Sequence, residues 1–181
     1  GQSYRPRPVE DVVNDIKRNQ RRYFVLHNDS SLAIDPAYTK ALFKAMIPLK
    51  VKFIAYGNVP VLLKNEEIIE LSRKAGCLNW GFGFETFNKE SLKNDANKAY
   101  NIDNYEQLIK RIHKAGMGVF GSFVFGFDHD TADIFDVTTE KVFELGIDTG
   151  EFDILTPFPI SRLYDALDTQ NRIITKDWEK Y

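Results

Sequence analysis

The 181-residue sequence contains a single cysteine, Cys77, and it lacks both a long apolar run and an excess of charge of either sign. One cysteine cannot form an intrachain disulfide, and it cannot supply the set of thiolates that a zinc ribbon or an iron–sulfur cluster needs. No segment approaches the roughly 18 to 20 consecutive apolar residues of a membrane-spanning helix. No signal-peptide pattern opens the sequence. We therefore expect a cytoplasmic protein with no membrane partner.

The charge balance also excludes a class of partners. Lysine and arginine total 24 and aspartate and glutamate total 26, so the formal net charge is −2. This balance lacks the basic excess that is typical of nucleic-acid-binding domains. With 43% hydrophobic and 28% charged residues, the composition is that of a globular domain. The length predicts a single domain over residues 1–181, with a small molecule as its expected partner.

Short apolar runs alternate with amphipathic segments along the whole chain. Nearly continuous apolar runs of this length are typical of buried parallel strands. The predicted strands are Tyr23–Leu26, Val51–Tyr56, Asn79–Phe84, Val119–Phe125 and Glu151–Leu155. Helices are predicted at about residues 8–20, 36–47, 65–75, 88–95, 103–115 and 133–145. Strands that alternate with helices indicate a parallel sheet, either doubly wound or closing toward a barrel.

Local signals mark where these helices begin and end. Asp35, Asn65 and Asn88 stand where a side chain can cap a helix N-terminus, and Pro36 suits the first helical position. Glycines close three of the segments, in the position where a helix usually ends in a left-handed residue. These glycines are Gly76, Gly116 and Gly146.

Polar residues directly after the predicted strands favour the barrel. The carboxyl-terminal face of a (β/α) barrel carries its active site, whereas a doubly wound dinucleotide-binding fold needs a glycine-rich turn that opens a helix. Gly81 and Gly83 lie inside a predicted strand and lack the third glycine of that turn. We therefore predict an α/β fold, a partial TIM-like (β/α) barrel with about five parallel strands.

Motifs spread over nearly the whole chain carry a family resemblance. In order, they are Tyr4–Glu10, Ala75–Cys77, Gly81–Thr86, Leu92, Lys98, Gly116, Gly121–Gly126, Thr156–Pro159, Leu163 and Tyr164. Together they resemble the core domain of radical S-adenosylmethionine enzymes. The resemblance points to the cobalamin-binding branch, which includes anaerobic Mg-protoporphyrin monomethyl ester cyclase-like proteins. One departure is Pro159-Ile160-Ser161, where the family usually has Pro-Gly-Thr.

The resemblance implies a truncated catalytic domain. Family members bind a [4Fe-4S] cluster through a C-x-x-x-C-x-x-C loop after the first barrel strand, and this sequence has no such loop. We therefore expect strands two to six of a six-stranded partial barrel, with the first strand missing. The implied activity of the full protein is reductive cleavage of S-adenosylmethionine to a 5′-deoxyadenosyl radical. That radical acts on an unidentified substrate, with a tetrapyrrole as one candidate. Cobalamin would be held by another domain, and the fragment alone is expected to be inactive.

The same resemblance implies four cofactor-binding residues. Glu85 corresponds to a group that hydrogen-bonds the ribose or amino group of S-adenosylmethionine, and its alternative role is to cap the next helix. Lys98 corresponds to a cation for the methionine carboxylate, or else it is an ordinary surface lysine. Ser122 corresponds to a ribose contact, unless its hydroxyl only bonds a backbone carbonyl. Thr156 corresponds to a segment whose backbone meets adenine, or to a plain turn.

The tip of the first predicted strand is expected to face the substrate. It consists of His27, Asn28 and Asp29. A different function class uses part of the same tip, because His and Asp at strand ends suit divalent metals. A metal-dependent hydrolase would combine His27 and Asp29 with Asp128 and His129, although a loop and helix cap explain the latter pair equally well.

Two further expectations concern partners. The chain could be a non-catalytic interaction domain that binds neither a metal nor a nucleoside. The strand Tyr23–Leu26 would be an exposed sheet edge without a preceding strand, and exposed edges invite pairing with another chain. The sequence therefore also predicts an edge-strand homodimer.

Overall fold

The computed structural model describes residues 5–19, 23–26, 32–94 and 102–180. Its strands are β1 (Tyr23–Leu26), β2 (Lys52–Tyr56), β3 (Cys77–Glu85), β4 (Gly118–Phe125) and β5 (Thr149–Ile154). Its helices are α1 (Val9–Asn19), α2 (Pro36–Met46), α3 (Val59–Lys64), α4 (Glu66–Ala75), α5 (Lys89–Asn94), α6 (Ile102–Lys114), α7 (Ile134–Leu145) and α8 (Arg162–Thr169). Short 3₁₀ turns lie at Leu32–Ile34, Ile47–Leu49 and Trp178–Lys180.

The five strands form one parallel sheet in the order β1-β2-β3-β4-β5. This sequential order is that of a (β/α) barrel, because a doubly wound sheet reverses its strand order at a switch point. The predicted α/β fold with about five parallel strands is confirmed. β1 and β5 lie at the two ends of the strand order, and the edge-strand homodimer stays a prediction.

One face of the sheet packs against the helices and forms the core. The side chains of Phe53 and Trp80 are 1% and 0% exposed, and their rings both contact the ring of Phe43 in α2. The Trp80 indole nitrogen donates a hydrogen bond of 3.0 Å to Ser72 Oγ in α4. Phe82 and Phe84 continue this buried row along β3. The central strands β2, β3 and β4 therefore use alternate residues for the core and leave the others on the opposite face of the sheet.

The predicted helix ends are confirmed at the three glycines. Gly76, Gly116 and Gly146 have φ angles of 107°, 76° and 70°, which L residues rarely adopt. At Gly76 a side chain is also sterically impossible, because a Cβ there would lie 1.9 Å from the Val51 carbonyl oxygen.

The predicted helix starts are confirmed in part. The Asp35 carboxylate accepts hydrogen bonds from the backbone of Ala37 and Tyr38 and so caps α2. The Asn65 prediction was wrong, since its side chain makes no cap hydrogen bond to α4. Instead its amide donates 2.8 Å to the Val61 carbonyl at the end of the preceding helix. That helix, α3, was not predicted, and its last turn competes for the Asn65 side chain.

Within the described ranges, no helix combines the length and the apolar character needed to cross a membrane.

Candidate functional site

The sheet face opposite the helices, here called the inner face, carries a small set of polar side chains. Strand register aligns them in rows, because residues paired across parallel strands point to the same face. One row contains Tyr56, Gly81, Phe120 and Thr149. The next row toward the carboxyl ends of the strands contains Gly83, Ser122 and Glu151. In a (β/α) barrel this face lines the barrel interior, and the active site lies where it opens at the carboxyl ends of the strands.

Glu85 ends β3 in an unusual backbone conformation. Its φ is 65°, and the Thr86 N–H donates a hydrogen bond of 2.9 Å to the Phe84 carbonyl across it. A positive φ spanned by such a three-residue hydrogen bond is characteristic of the rare classic γ-turn. A non-glycine residue held this way carries strain that typically persists only where the surroundings enforce it. Here the enforcing neighbours are Phe84, Thr86 and Phe87, which are 1%, 2% and 6% exposed.

The cap of the following helix comes from Asn88. Its side-chain oxygen accepts hydrogen bonds from the backbone of Glu90 (2.9 Å) and Ser91 (3.2 Å) at the start of α5. The predicted cap at Asn88 is therefore confirmed, and the choice between the two roles of Glu85 stays a prediction. The half-buried Glu85 side chain stands at the carboxyl end of β3, as the resemblance implies.

Ser122 and Thr156 have different surroundings. Ser122 lies half-buried on the inner face in register with Gly83 and Glu151. Thr156 follows β5, and its hydroxyl donates 3.0 Å to the Ile154 carbonyl. The Thr156 side chain thus completes a local turn, and only its backbone is left for the adenine contact that the resemblance implies.

Four predicted site residues lie outside the described residues. They are Lys98 and the strand-tip residues His27, Asn28 and Asp29. Their roles stay predictions.

The loop after β4 is organised by its own carboxylates. Asp130 accepts hydrogen bonds of 3.0 Å from the backbone of both Gly126 and Phe127. Asp128 forms a two-pronged ion pair with Arg172 at 2.5 and 2.7 Å, and this guanidinium lowers the pKa of Asp128. The loop interpretation of this segment is therefore the one that these contacts support.

The contacts of Asp128 and His129 do not support the metal-dependent hydrolase alternative. The His129 imidazole lies 3.5 Å from the Glu90 carboxylate, and Asp128 is already paired with Arg172. Among the described residues, no cluster of three His, Cys, Asp or Glu side chains could hold a metal ion.

The single cysteine does not suit an iron–sulfur cluster. Cys77 opens β3 on the core side, with 0% of its side chain exposed, and its thiol lies 3.3 Å from the Asn79 carbonyl. Burial raises the pKa of Cys77 to about 12, so the thiolate that ligates iron is strongly disfavoured. The buried thiol of Cys77 is therefore a poor ligand for such a cluster.

Tyr56 and Glu151 lie on the inner face but were not predicted as site residues. Tyr56 is the last residue of β2 and alternates with the buried Phe53 and Ala55, so its ring lies on the inner face. Burial, and secondarily the charge of Glu151, raise the pKa of Tyr56. The alternation of side chains along β2 could have indicated that Tyr56 faces away from the core, but Tyr56 was interpreted as one more apolar strand residue.

These features define a class of protein. A sequentially ordered parallel sheet with helices on one face, and with polar groups at the carboxyl ends of its strands, is a partial (β/α) barrel. A family model described as the radical SAM superfamily matches residues 1–142. The chain belongs to the radical S-adenosylmethionine superfamily.

The chain is also similar in sequence to individual characterised proteins. The chain is 29% identical to bacteriochlorophyllide d C-12(1)-methyltransferase of Chlorobaculum tepidum, over 100% of this chain and 40% of that protein. It is 23% identical to anaerobic magnesium-protoporphyrin IX monomethyl ester cyclase of Cereibacter sphaeroides, over 98% of this chain and 30% of that protein. The chain thus spans less than half the length of these relatives.

A solved structure supports the fold. The radical S-adenosylmethionine methyltransferase TsrM from Kitasatospora setae, determined with cobalamin and a [4Fe-4S] cluster, superposes with a TM-score of 0.75 at 16% identity. The match covers 90% of this chain and 31% of TsrM. At this identity the likeness concerns the fold, which is the partial barrel described above.

Proposed function

We propose that this chain is the carboxyl-terminal part of a radical S-adenosylmethionine catalytic domain and that its inner face binds S-adenosylmethionine and substrate. The observation that carries the proposal is Glu85, a carboxylate residue held at a positive φ at the carboxyl end of β3 in a chain of this superfamily. When bound at a reduced [4Fe-4S] cluster, S-adenosylmethionine supplies a 5′-deoxyadenosyl radical that abstracts a hydrogen atom. The cluster ligands belong to a part of the protein outside this chain.

The residues present fit S-adenosylmethionine. A carboxylate such as Glu85 accepts hydrogen bonds from the ribose hydroxyls or from the ammonium group, and ionised acceptors make the stronger bonds. Ser122 adds a hydroxyl on the neighbouring strand for the ribose. The backbone at Thr156, just after β5, is the proposed adenine contact, and Lys98 is the proposed partner of the methionine carboxylate.

The proposed substrate is a tetrapyrrole, presented near His27, Asn28 and Asp29. Support comes from relatives whose names specify bacteriochlorophyllide d and magnesium-protoporphyrin IX monomethyl ester. Cobalamin is proposed as a second cofactor held by another domain, since TsrM was determined with cobalamin. The 181-residue chain alone is proposed to bind ligands and to be catalytically inactive.

Calorimetric titration of the chain with S-adenosylmethionine tests the proposal directly. Glu85→Gln removes a charged acceptor and is expected to weaken binding about 10-fold or more, because hydrogen bonds to charged groups contribute about 1.5–3 kcal/mol. Ser122→Ala removes a neutral hydroxyl and is expected to weaken binding about 2- to 12-fold. Glu140→Gln changes an exposed carboxylate of α7 and serves as the matched control.

Two results would contradict the proposal. One is the absence of S-adenosylmethionine binding by the wild-type chain. The other is an equal loss in Glu85→Gln and Glu140→Gln, which would show that only overall charge matters. In the whole protein, anaerobic incubation with a reductant should release 5′-deoxyadenosine, and Glu85→Gln should reduce its yield.

A further inference from the structure

The backbone pairing of β3 with β4 becomes irregular close to Glu85. Gly83 pairs with Ser122, but the register then shifts, so that Glu85 pairs with Phe123. Beyond this pair β4 continues along β5. The described pairing of β3 with β4 therefore ends at Glu85, and the contacts described below between the segments that follow the two strands involve side chains.

Asp130 organises the loop after β4, residues 126–133. One carboxylate oxygen, Oδ2, accepts hydrogen bonds of 3.0 Å from the backbone N–H groups of both Gly126 and Phe127. The other oxygen, Oδ1, accepts a bond of 3.3 Å from Ser91 Oγ in α5. The Ser91 side chain is 0% exposed, and a buried hydroxyl needs such a partner. Asp130 therefore binds its own loop and the helix after β3 with a single side chain.

A second hydrogen bond joins the same two segments and leads toward Glu85. The Asn88 side-chain amide donates 2.7 Å to the carbonyl of His129, the neighbour of Asp130. The Asn88 backbone N–H donates 3.1 Å to the hydroxyl of Thr86, which is buried. Thr86 in turn closes the γ-turn at Glu85 with its backbone N–H. A short series of hydrogen bonds thus connects the loop after β4 with the turn at Glu85.

We propose that Asp130 is a positioning residue that holds Glu85 in its positive-φ turn and so sets the place of the Glu85 carboxylate relative to β4. Such a backbone conformation persists only where the surroundings enforce it, and the bonds made by Asp130 and Asn88 are part of these surroundings. Asp130 acts through the loop and is not itself a ligand contact. The inference rests on the proposed function only for the ligand that Glu85 binds.

Amide hydrogen exchange measured by NMR tests whether Asp130 holds the turn. Asp130→Ala removes all three bonds of the carboxylate, so the Thr86 N–H should exchange about 2- to 12-fold faster, as for the loss of one neutral hydrogen bond. Asp130→Asn keeps an oxygen for Gly126 and Phe127 and offers an amide to Ser91, so it should restore the wild-type rate. Asp136→Ala changes an exposed carboxylate in the first turn of α7 and is the matched control.

Calorimetric titration with S-adenosylmethionine tests whether Asp130 acts through Glu85. Asp130→Ala should weaken binding by the wild-type chain about 2-fold or more, since residues in one hydrogen-bond network are coupled at least to this extent. In a chain that already carries Glu85→Gln, the same substitution should weaken binding less than about 2-fold, because the carboxylate that Asp130 positions is gone. Equal losses in the two chains would show that Asp130 acts independently of Glu85 and would overturn the inference.

The two measurements separate this inference from the proposed function. If the wild-type chain does not bind S-adenosylmethionine, the proposed function fails, and the Thr86 exchange rate still decides whether Asp130 holds the turn. If the chain binds S-adenosylmethionine but Asp130→Ala and Asp136→Ala leave the Thr86 exchange rate equally unchanged, the inference fails and the proposed function stands. Thermal melts check that each variant folds. If Asp130→Ala does not fold, Ser91→Ala replaces it, because it removes only the bond between Asp130 and α5 and should also speed the exchange of Thr86.

Discussion

The backbone strain at Glu85 can be measured by comparing two substitutions at that position. At φ 65° an alanine keeps the steric penalty of the left-handed region, which is about 1–2 kcal/mol for an L residue. A glycine avoids the penalty but loses more conformational entropy on folding, about 0.5–1 kcal/mol relative to alanine. The difference, from about 0 to 1.5 kcal/mol with a midpoint near 0.75 kcal/mol, predicts that Glu85→Gly is more stable than Glu85→Ala.

The sign of this difference is what makes the comparison informative. At an exposed helical position such as Glu140 in α7, glycine should be less stable than alanine by about 1 kcal/mol. Urea denaturation of the four variants gives the free energies of unfolding, provided that the m-values agree. If glycine is no more stable than alanine at position 85, the backbone is not strained there and the physical basis for singling out Glu85 is lost. Both variants lack the carboxylate, so both should bind S-adenosylmethionine poorly whatever their stability.

Three further predictions concern the scaffold. Cys77, with its pKa raised by burial to about 12, should resist iodoacetamide in the native chain and react only on unfolding, as mass spectrometry will show; fast native labelling would contradict its burial. Ser72→Ala leaves the buried Trp80 indole N–H without its acceptor and should destabilise the chain by about 1–3 kcal/mol, whereas a change below about 0.3 kcal/mol in urea denaturation would contradict this bond's role. Burial raises the pKa of Asp148, but the hydrogen bonds from Val119 N–H and His113 outweigh this effect, so its pKa lies below the ordinary 3.8. The ionised carboxylate therefore stabilises the fold above pH 3.8, and this contribution is lost as the pH falls through the lowered pKa. Asp148→Asn should accordingly flatten this part of the acid-unfolding curve.

The fold was largely predictable because its determinants are local. Short apolar runs, helical segments and the glycines at helix ends can each be recognised from residues that are close together in the sequence. Gly76 is an example, because its left-handed φ of 107° is a property of the helix end itself. The errors have tertiary causes. α3 escaped prediction because its six residues, Val59–Lys64, are too few to show a helical period. Asn65 was assigned to the wrong helix because its side chain bonds backward to Val61.

The candidate site also contains some residues that local sequence signals predict and others that only the tertiary structure identifies. Glu85 and Ser122 could be singled out from the sequence, because motifs of the superfamily include them and strand ends are recognisable from composition. The γ-turn at Glu85 could not be predicted from the sequence, since it depends on the burial of Phe84 and Phe87 by elements far away in the chain. Tyr56 was missed for a similar reason. Its partners Gly81, Phe120 and Glu151 lie on three other strands, and only their register brings them to one face.

By itself, the sequence determined the class of fold, the superfamily and the absence of cluster ligands, because composition, periodicity and motif order are read along the chain. The tertiary structure decided which polar groups share a surface. Strand register and the alternation of side chains assign every residue of a strand to the core or to the inner face, and a shift of one residue would exchange the two sets. Alternation places Tyr56 on the inner face, whereas Cys77 faces the core because a register shift pairs it with the buried Phe53.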